Sequence, residues 1–578
     1  MTESLLAGQS WQELLARHSF IELDALQRAT ALLDDGSLRV LAGPFDRLES
    51  PWLVPQGITP QSDDGTVIAR GTIGGAPVVV AAIEQGFQGG GTGEVSGAKI
   101  SQALQLAVAD SRAGTPTAAV ILFETGGVRL QEANLGLNAV AEICSAVLDL
   151  RPLAPVIGLV AGTVGSFGGM SIAAGLCTKL IVTPQGRIGL NGPAVIEQEG
   201  GVGEFDSSDH ALIWAVDGGR QRYATALADA LVPDDVDLLR AAVGDAVAAG
   251  AGEPGRHRSE RVDVLASRLA VLDPTDPPAP QDLPALWGNG YDVVKAPNGI
   301  HPAEPSATGP TTRGATWLAA LSRGASIEAI IPSVRAARTD DALYLAVVPD
   351  PDNPYHRARE GQVGLTESLA LAQAVRDVVA VDRDATVKRP IVAVVDLPSQ
   401  AYGRIEEMAG LHQAMAVTVD AYHSARVAGH PVVAVVVGTA LSGGFLTHGL
   451  QANQILAIDD PLVEIHAMHE AAAARITLRT VQELEELAKT VLPMSYDVRD
   501  WAKLGLCDGL LKVENPDSPT GDDVAGVGAA IDDAVRRARS GPVDLSNRLD
   551  SDAAVQTRHA SRAVRELLRA QWPGEPGS

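Results

Sequence analysis

The chain has 578 residues, of which 46% are hydrophobic and 20% charged, enough for about two to four soluble domains with real cores. A formal net charge of −26 excludes a general nucleic-acid binder, which needs phosphate-neutralising Lys and Arg. Cys144, Cys177 and Cys507 lie far apart with no CxxC pair, which excludes a disulfide framework and a four-cysteine zinc site and suits a reducing cytoplasm.

The N-terminus MTESLLAGQS lacks a positive region and a long apolar run, so no secretory signal is expected. Residues 10–35 read as helical. Residues 66–83 read as a β-hairpin around Gly74-Gly75. "GFQGGGTGEVSGAKI" (86–100) is a glycine loop that runs into a helix ending near 113. "TAAVILFE" (117–124) is a buried strand that stops at Thr125-Gly126-Gly127. Residues 137–150 have apolar spacings of three and four, the mark of a helix. "PVIGLVA" (155–161) is a second buried strand, followed by "GTVGSFGGM". The stretch 152–178 carries no charge and is long enough to span a bilayer, but its six glycines and two prolines read as strand, turn and buried helix, so no membrane span is expected. "TKLIVT" and "GRIGLNGP" read as two short strands.

Between about 251 and 311 the chain turns rich in Pro, Gly and charge, and a linker is placed there, with a helical stretch at 259–272 packing on the first half. The division is therefore 1–250, a linker 251–311, and 312–578 with a terminal helix. The second half repeats the plan. "DALYLAVVP" and "LTESLALAQAVRDVVAVD" form a strand and a helix. "RPIVAVVDLPSQAYGRIEEMAG" (389–410) is a buried strand ending in a loop, and a helix follows. "PVVAVVVGTALSGGF" (431–445) is again strand and turn. Pro155 stands seven residues before Gly162-Thr163, and Pro431 seven before Gly438-Thr439. Glu124 closes the preceding strand 38 residues ahead of Gly162, and Asp396 does so 42 ahead of Gly438. This is a duplication at domain scale.

A buried strand that ends in Gly-Gly and enters a helix exposes backbone N–H groups at the helix start, and glycine lets a ligand approach them closely. Two such turns converging can hold one developing oxyanion. Other glycine-loop chemistries are excluded. "GGGTGEVSG" does not satisfy GxGxxG, no GxxxxGK[ST] is present, and Ser166 lacks the first glycine of GxSxG. His466 and His469 have no third ligand at a convincing spacing, so no metal site is expected.

Those segments resemble the crotonase-type carboxyltransferase superfamily. "FETGGVRLQE" (123–132) resembles its SGGAR-type loop, and "GFQGGGTGEVSGAKI" its GGSMG…GEKI segment. "GTVGSFGG" and "GTALSGG" are similar to its paired oxyanion turns, and "LPSQAYGRIEEMAG" (397–410) occupies the place of its second-domain loop. Within the superfamily the nearest likeness is to biotin-independent malonate decarboxylases, with beta and gamma subunits fused: about 15–250 for beta and 312–540 for gamma.

The resemblance implies an α/β fold of two crotonase-type (ClpP/crotonase) β-β-α spiral domains in tandem. It implies decarboxylation of a malonyl thioester to the acetyl thioester through an enolate. The substrate would ride on an acyl carrier protein bearing a phosphopantetheine-type, dephospho-CoA-derived arm, or on CoA, with no cofactor covalently bound to this chain. A malonyl/acetyl transferase would be a further subunit of an oligomeric complex. The first oxyanion hole falls to the amides of Gly127 and Gly169 or their neighbours Gly126 and Gly168, the second to Gly403 and Gly444 or Gly443. Gly89, Gly90, Gly91, Gly93 and Lys99 are the expected cofactor-arm contacts. Tyr402, Glu132 and water remain as proton sources. Arg558, Arg562, Arg565 and Arg569 line one helical face suited to an acidic carrier protein. Alternatives are a biotin-dependent acyl-CoA carboxyltransferase and a noncatalytic acyl-CoA-binding or scaffold subunit.

Overall fold

The computed structural model describes residues 15–288, 290–294 and 312–573. Two sheets with the same plan organise it. The first comprises β1 (Arg39–Leu41), β2 (Thr66–Ile73), β3 (Ala76–Ile83), β4 (Ala118–Leu122), β5 (Val156–Val160), β6 (Lys179–Val182) and β7 (Ala230–Leu231), neighbouring one another in chain order. The second comprises β8 (Ile327–Ile331), β9 (Val334–Arg338), β10 (Leu343–Val347), β11 (Ile391–Leu397), β12 (Val432–Leu441), β13 (Gln454–Ile458), β14 (Ile465–His466) and β15 (Gly509–Leu511). Its order is β8-β9-β10-β11-β12-β13-β15, with β14 beside β12. In each sheet an antiparallel hairpin leads into parallel strands: β2 pairs with β3 and β9 with β10 antiparallel, then β3 with β4 and β10 with β11 parallel. The fold is α/β, two crotonase-type units in tandem.

The central parallel strands β4, β5 and, but for Thr439, β12 are buried on both faces, as their Val/Ile/Leu/Ala-rich runs require. The uncharged stretch 152–178 resolves into β5, a corner and the helix Gly169–Leu176. "GRIGLNGP" is not a strand. Its residues make single bridges, Ser166 with Ile188 and Arg187 with Gly218, because the chain turns along the edge of a cavity. The hairpin β8–β9 is an element the sequence reading did not resolve.

The Glu124/Asp396 correspondence has a direct physical cause. Glu124 Oε1 accepts the amides of Val164 (2.9 Å) and Gly165 (3.1 Å), while Oε2 pairs with Arg28 at 3.0 Å. Asp396 accepts the amides of Thr439 (3.2 Å) and Gly314 (2.9 Å). A Cβ on Gly162 would lie 1.9 Å from Glu124 Oε2, and one on Gly438 2.1 Å from Asp396 Oδ1. Each strand-end acid thus forces a glycine at the start of the next corner.

The halves share one continuous core. The helices Gly169–Leu176 and Leu411–Val427 meet where Gly175 faces Ala416, and a Cβ on Gly175 would stand 3.1 Å from that of Ala416. Residues 251–288 are folded rather than an open tether. Ser259 accepts from Arg151 (2.7 Å) and donates to Asp420 (2.6 Å), and Arg151 pairs with Asp420 at 2.8 Å. The helix Val262–Ala270 therefore sits in a segment that joins both halves, not the first alone. The remainder of the expected linker, 295–311, lies outside the described residues.

The arginine stripe near the C-terminus is a correction. The helix His559–Gln571 packs on Glu94–Arg112 of the first half. Arg565 and Arg558 pair with the buried Glu142, Arg565 at 2.5 Å and Arg558 at 3.3 Å. Arg562 donates to the Leu549 carbonyl and Arg569 to Gln102. Four-three-four spacing marks a face, but Arg558 and Arg565 on it turn inward, toward a carboxylate 416 and 423 residues earlier in the chain, and only Arg569 is exposed. It is not a free carrier-docking surface.

Candidate active site

A cavity of about 380 Å³ lies between the halves. The first half lines it with Gly126, Val128, Gly168, Gly169 and the loop 190–192; the second lines it with Gln400, Tyr402, Ser442, Gly443 and Met468. The corners at the C-terminal ends of β4, β5, β11 and β12 deliver most of these residues, with the loop 190–192 following β6 and Met468 following β14, so one site is built within a single chain from both copies of the duplicated unit.

Most of the amides expected as oxyanion donors are already engaged. Gly126 N donates to the Gly89 carbonyl (3.0 Å), Gly127 N to Thr125 Oγ1 (3.0 Å) and Gly168 N to the Leu190 carbonyl (2.8 Å). Gly127 backs directly onto Gly168, and a Cβ on it would lie 3.1 Å from Gly168 Cα. The amides of Val128 and Gly169, both on the cavity wall, have no acceptor among the described residues. Gly169 is the first residue of its helix, where intrahelical partners are lacking, and Val128 bridges Thr92 through its neighbours' hydrogen bonds, so its own amide turns the other way. Val128 and Gly169 are therefore the two open amides on the first half's wall of the cavity. Gly126, Gly127 and Gly168 shape the corner.

The second half has the same frame in a different state. Val363 bridges Gln400 as Thr92 bridges Val128, which makes Gln400 the counterpart of Val128. Gly168, which precedes the helix Gly169–Leu176, and Ser442, which opens the helix Ser442–Thr447, both have φ +57°, which makes Gly443 the counterpart of Gly169. Here the amide is closed off: Gly443 N donates to Gln400 Oε1 at 2.8 Å, and Gln400 Nε2 donates to Asn191 Oδ1 at 2.7 Å. Asn191 is fixed in turn. Its Nδ2 donates to the Ala401 carbonyl (2.8 Å), and its amide and that of Leu190 donate to Glu407 (2.6 and 2.9 Å). Arg222 holds the Glu407 carbonyl (2.8 Å) and Asp217 (2.9 Å). A hydrogen-bonded chain from Glu407 through Asn191 to Gln400 thus sets one wall of the cavity from both halves.

Gly403 and Gly444 do not line the cavity. Gly403 lies against Glu406, where a Cβ would stand 1.8 Å from Oε2, and Gly444 packs on the Ser399 carbonyl at 2.6 Å from a Cβ. Of the expected arm contacts, Gly89 and Gly91 line the cavity. Gly90 is pressed on the Glu124 carbonyl and Gly93 on Glu132. Lys99 is buried away from the site, donating to the carbonyls of Asp63 and Thr66, and burial pulls its ammonium down to about 8. Glu132 is also outside. It is buried against Arg129 (2.7 Å), accepts from Ser50 (2.6 Å) and is not among the residues lining the cavity. Tyr402 does line the cavity, with its hydroxyl 3.4 Å from Ser442 Oγ, and burial raises the phenol to about 12. His466 is a packing residue, stacked on Tyr496 at 3.9 Å. Arg129 is the sole charged residue among those lining the cavity, and Asp64 (2.6 Å) and Glu132 (2.7 Å) neutralise it.

Val128, Asn191, Gln400 and Ser442 were not singled out in the sequence. Two of them carried a signal: Gln400 and Ser442 stand where the first half has Val128 and Gly168.

A carboxyl transferase domain model matches residues 22–243, and a malonate decarboxylase gamma subunit model matches 358–572. The malonyl-S-ACP:biotin-protein carboxyltransferase MADC of Malonomonas rubra is 41% identical over 240 residues, covering 40% of this chain and 75% of that protein. MADD of the same organism is 41% identical over 133 residues, 22% of this chain and 46% of that protein. A Pseudomonas malonate decarboxylase hetero-tetramer crystallised with malonate contains a chain 54% identical, with a TM-score of 0.47, covering 48% of this chain and 99% of that one. The protein thus belongs to the carboxyltransferase family of malonate decarboxylases, with a carboxyl transferase half and a gamma-type half joined in one polypeptide.

Proposed function

We propose that this enzyme decarboxylates a malonyl thioester, carried on the phosphopantetheine arm of an acyl carrier protein or on CoA, to the acetyl thioester and CO2. The supporting observation is a cavity with two unengaged amides on one wall and no uncompensated cation. The thioester oxygen accepts hydrogen bonds from Val128 and Gly169. The bond between the α-carbon and the carboxylate breaks, CO2 departs, and the electron pair moves to that oxygen as an enolate. Each preorganised donor contributes about 2.7–4 kcal/mol where the charge develops. A carboxylate without a cationic partner is not held in its ground state, which favours its loss. Gly89 and Gly91 border the path of the arm.

The two-unit organisation, 1–250 and 312–578 joined by 251–311, is part of this reading, as are carrier-protein and transferase partners in an oligomeric complex. So is a cytoplasmic setting, in keeping with three free cysteines. A second reading, transfer of the carboxyl group to biotin on a partner protein, is favoured by the names of the two Malonomonas relatives. It shares the enolate step and differs in the CO2 acceptor. Gln400 weighs against it by filling the second amide corner.

The test is CO2 release from malonyl-CoA and from malonyl carrier protein by the purified chain, with and without biotin. Release that biotin does not change supports decarboxylation. Release that requires a biotin acceptor supports the second reading. Binding with no release leaves the noncatalytic alternative.

A further inference from the structure

The duplication supplies an internal control for one strained residue. Gly168 and Ser442 occupy the same corner, each at φ +57°. In the first half the position is glycine, for which this conformation is unstrained, and a Cβ would lie 3.1 Å from Gly127 Cα. In the second half a serine takes a left-handed conformation that L side chains rarely adopt, although the two residues after it are glycines. The cavity accounts for the serine. Ser442 is buried, lines the same cavity as the Val128 and Gly169 amides, and has its Oγ 3.4 Å from the Tyr402 hydroxyl. Tyr402 lines the cavity as well, whereas Glu132 does not and is turned onto Arg129 and Ser50.

We infer that Ser442 is the catalytic residue that protonates the enolate carbon, with Tyr402 behind it as relay; this rests on the decarboxylation reading. The enolate α-carbon takes the Ser442 hydroxyl proton as the electron pair returns from oxygen to form the new C–H bond. The serine oxygen takes the Tyr402 proton, and the phenolate oxygen takes one from water, so one solvent proton is consumed per turnover. The first half holds the oxygen and the second half serves the carbon.

The experiment compares Ser442→Gly, Ser442→Ala and Tyr402→Phe with wild type on malonyl-CoA or malonyl carrier protein. The Gly variant removes the hydroxyl and relieves the backbone, while the Ala variant removes the hydroxyl and keeps the conformation. Wild-type turnover is measured first, and its absence would overturn the decarboxylation reading itself. Given turnover, both serine variants should lose about 10²-fold in kcat with KM within about threefold, the size of a general-acid contribution. Tyr402→Phe should lose less. Ser442→Gly should melt at or above the wild-type temperature. Wild-type kcat in either serine variant, or a loss confined to KM, would overturn the assignment.

Discussion

Gln400 Oε1 accepts the Gly443 amide at 2.8 Å, at the place where the first half leaves the Gly169 amide open. One side chain therefore makes two homologous corners unequal. Replacing Gln400 with Ala frees that amide and also releases Asn191. Loss of the two hydrogen bonds should lower stability by about 1–3 kcal/mol, measured by urea unfolding. CO2 release should stay within tenfold of wild type, because Val128 and Gly169 are untouched. A thousandfold loss would show that the second corner, not the first, holds the enolate.

Bulk added at the two glycine corners should separate activity from stability. A Cβ on Gly126 meets nothing nearer than the Gly89 carbonyl at 3.6 Å and projects into the cavity. Gly126→Val should cut kcat/KM at least tenfold and leave the melting temperature close to wild type. A Cβ on Gly169 would lie 2.7 Å from Leu446 and 2.8 Å from Val140. Gly169→Val should therefore destabilise by about 1–3 kcal/mol through overpacking, in addition to losing activity. Thermal unfolding of both variants beside their kinetics checks the contrast.

Deleting the chain after residue 550 removes Arg558 and Arg565 from the buried Glu142. An unpaired buried carboxylate costs about 3–5 kcal/mol. The expected outcome is a large drop in stability, seen by calorimetry, rather than a selective rise in KM for a carrier protein. A truncated chain with wild-type melting and a raised KM would restore the docking role of this helix.

Glu406 sets a pH dependence. Its two carboxylate oxygens are buried without hydrogen-bond partners, and desolvation raises it from 4.5 to about 8. Because the folded value lies above the unfolded one, the folded state binds more protons between them, and this group's contribution makes stability fall as pH rises through that window. Glu406→Gln should raise the melting temperature at pH 8, change it little at pH 4.5, and flatten the slope between. Equal effects at both pH values would contradict the assignment.

The amino-acid sequence determined the duplicated plan of this protein, because local backbone demands leave marks at fixed places. Gly162 and Gly438 are glycine because an acid from the preceding strand occupies the space of a Cβ, and Glu124 and Asp396 betray the strand ends. Apolar runs marked β4, β5, β11 and β12, with the one charge among them, Asp396, held to the end of β11, since strands buried on both faces rarely take a charge along their length. Only the tertiary structure decided which amides are open. The amides of Gly127 and Val128 are adjacent, yet Thr125 engages the first and no described residue engages the second. It also decided that the arginines of the last helix face Glu142, and that Asn191 and Gln400 meet across 209 residues of chain. Periodicity reports which face a side chain lies on. What that face meets depends on how the two halves pack, and no local pattern carries that information.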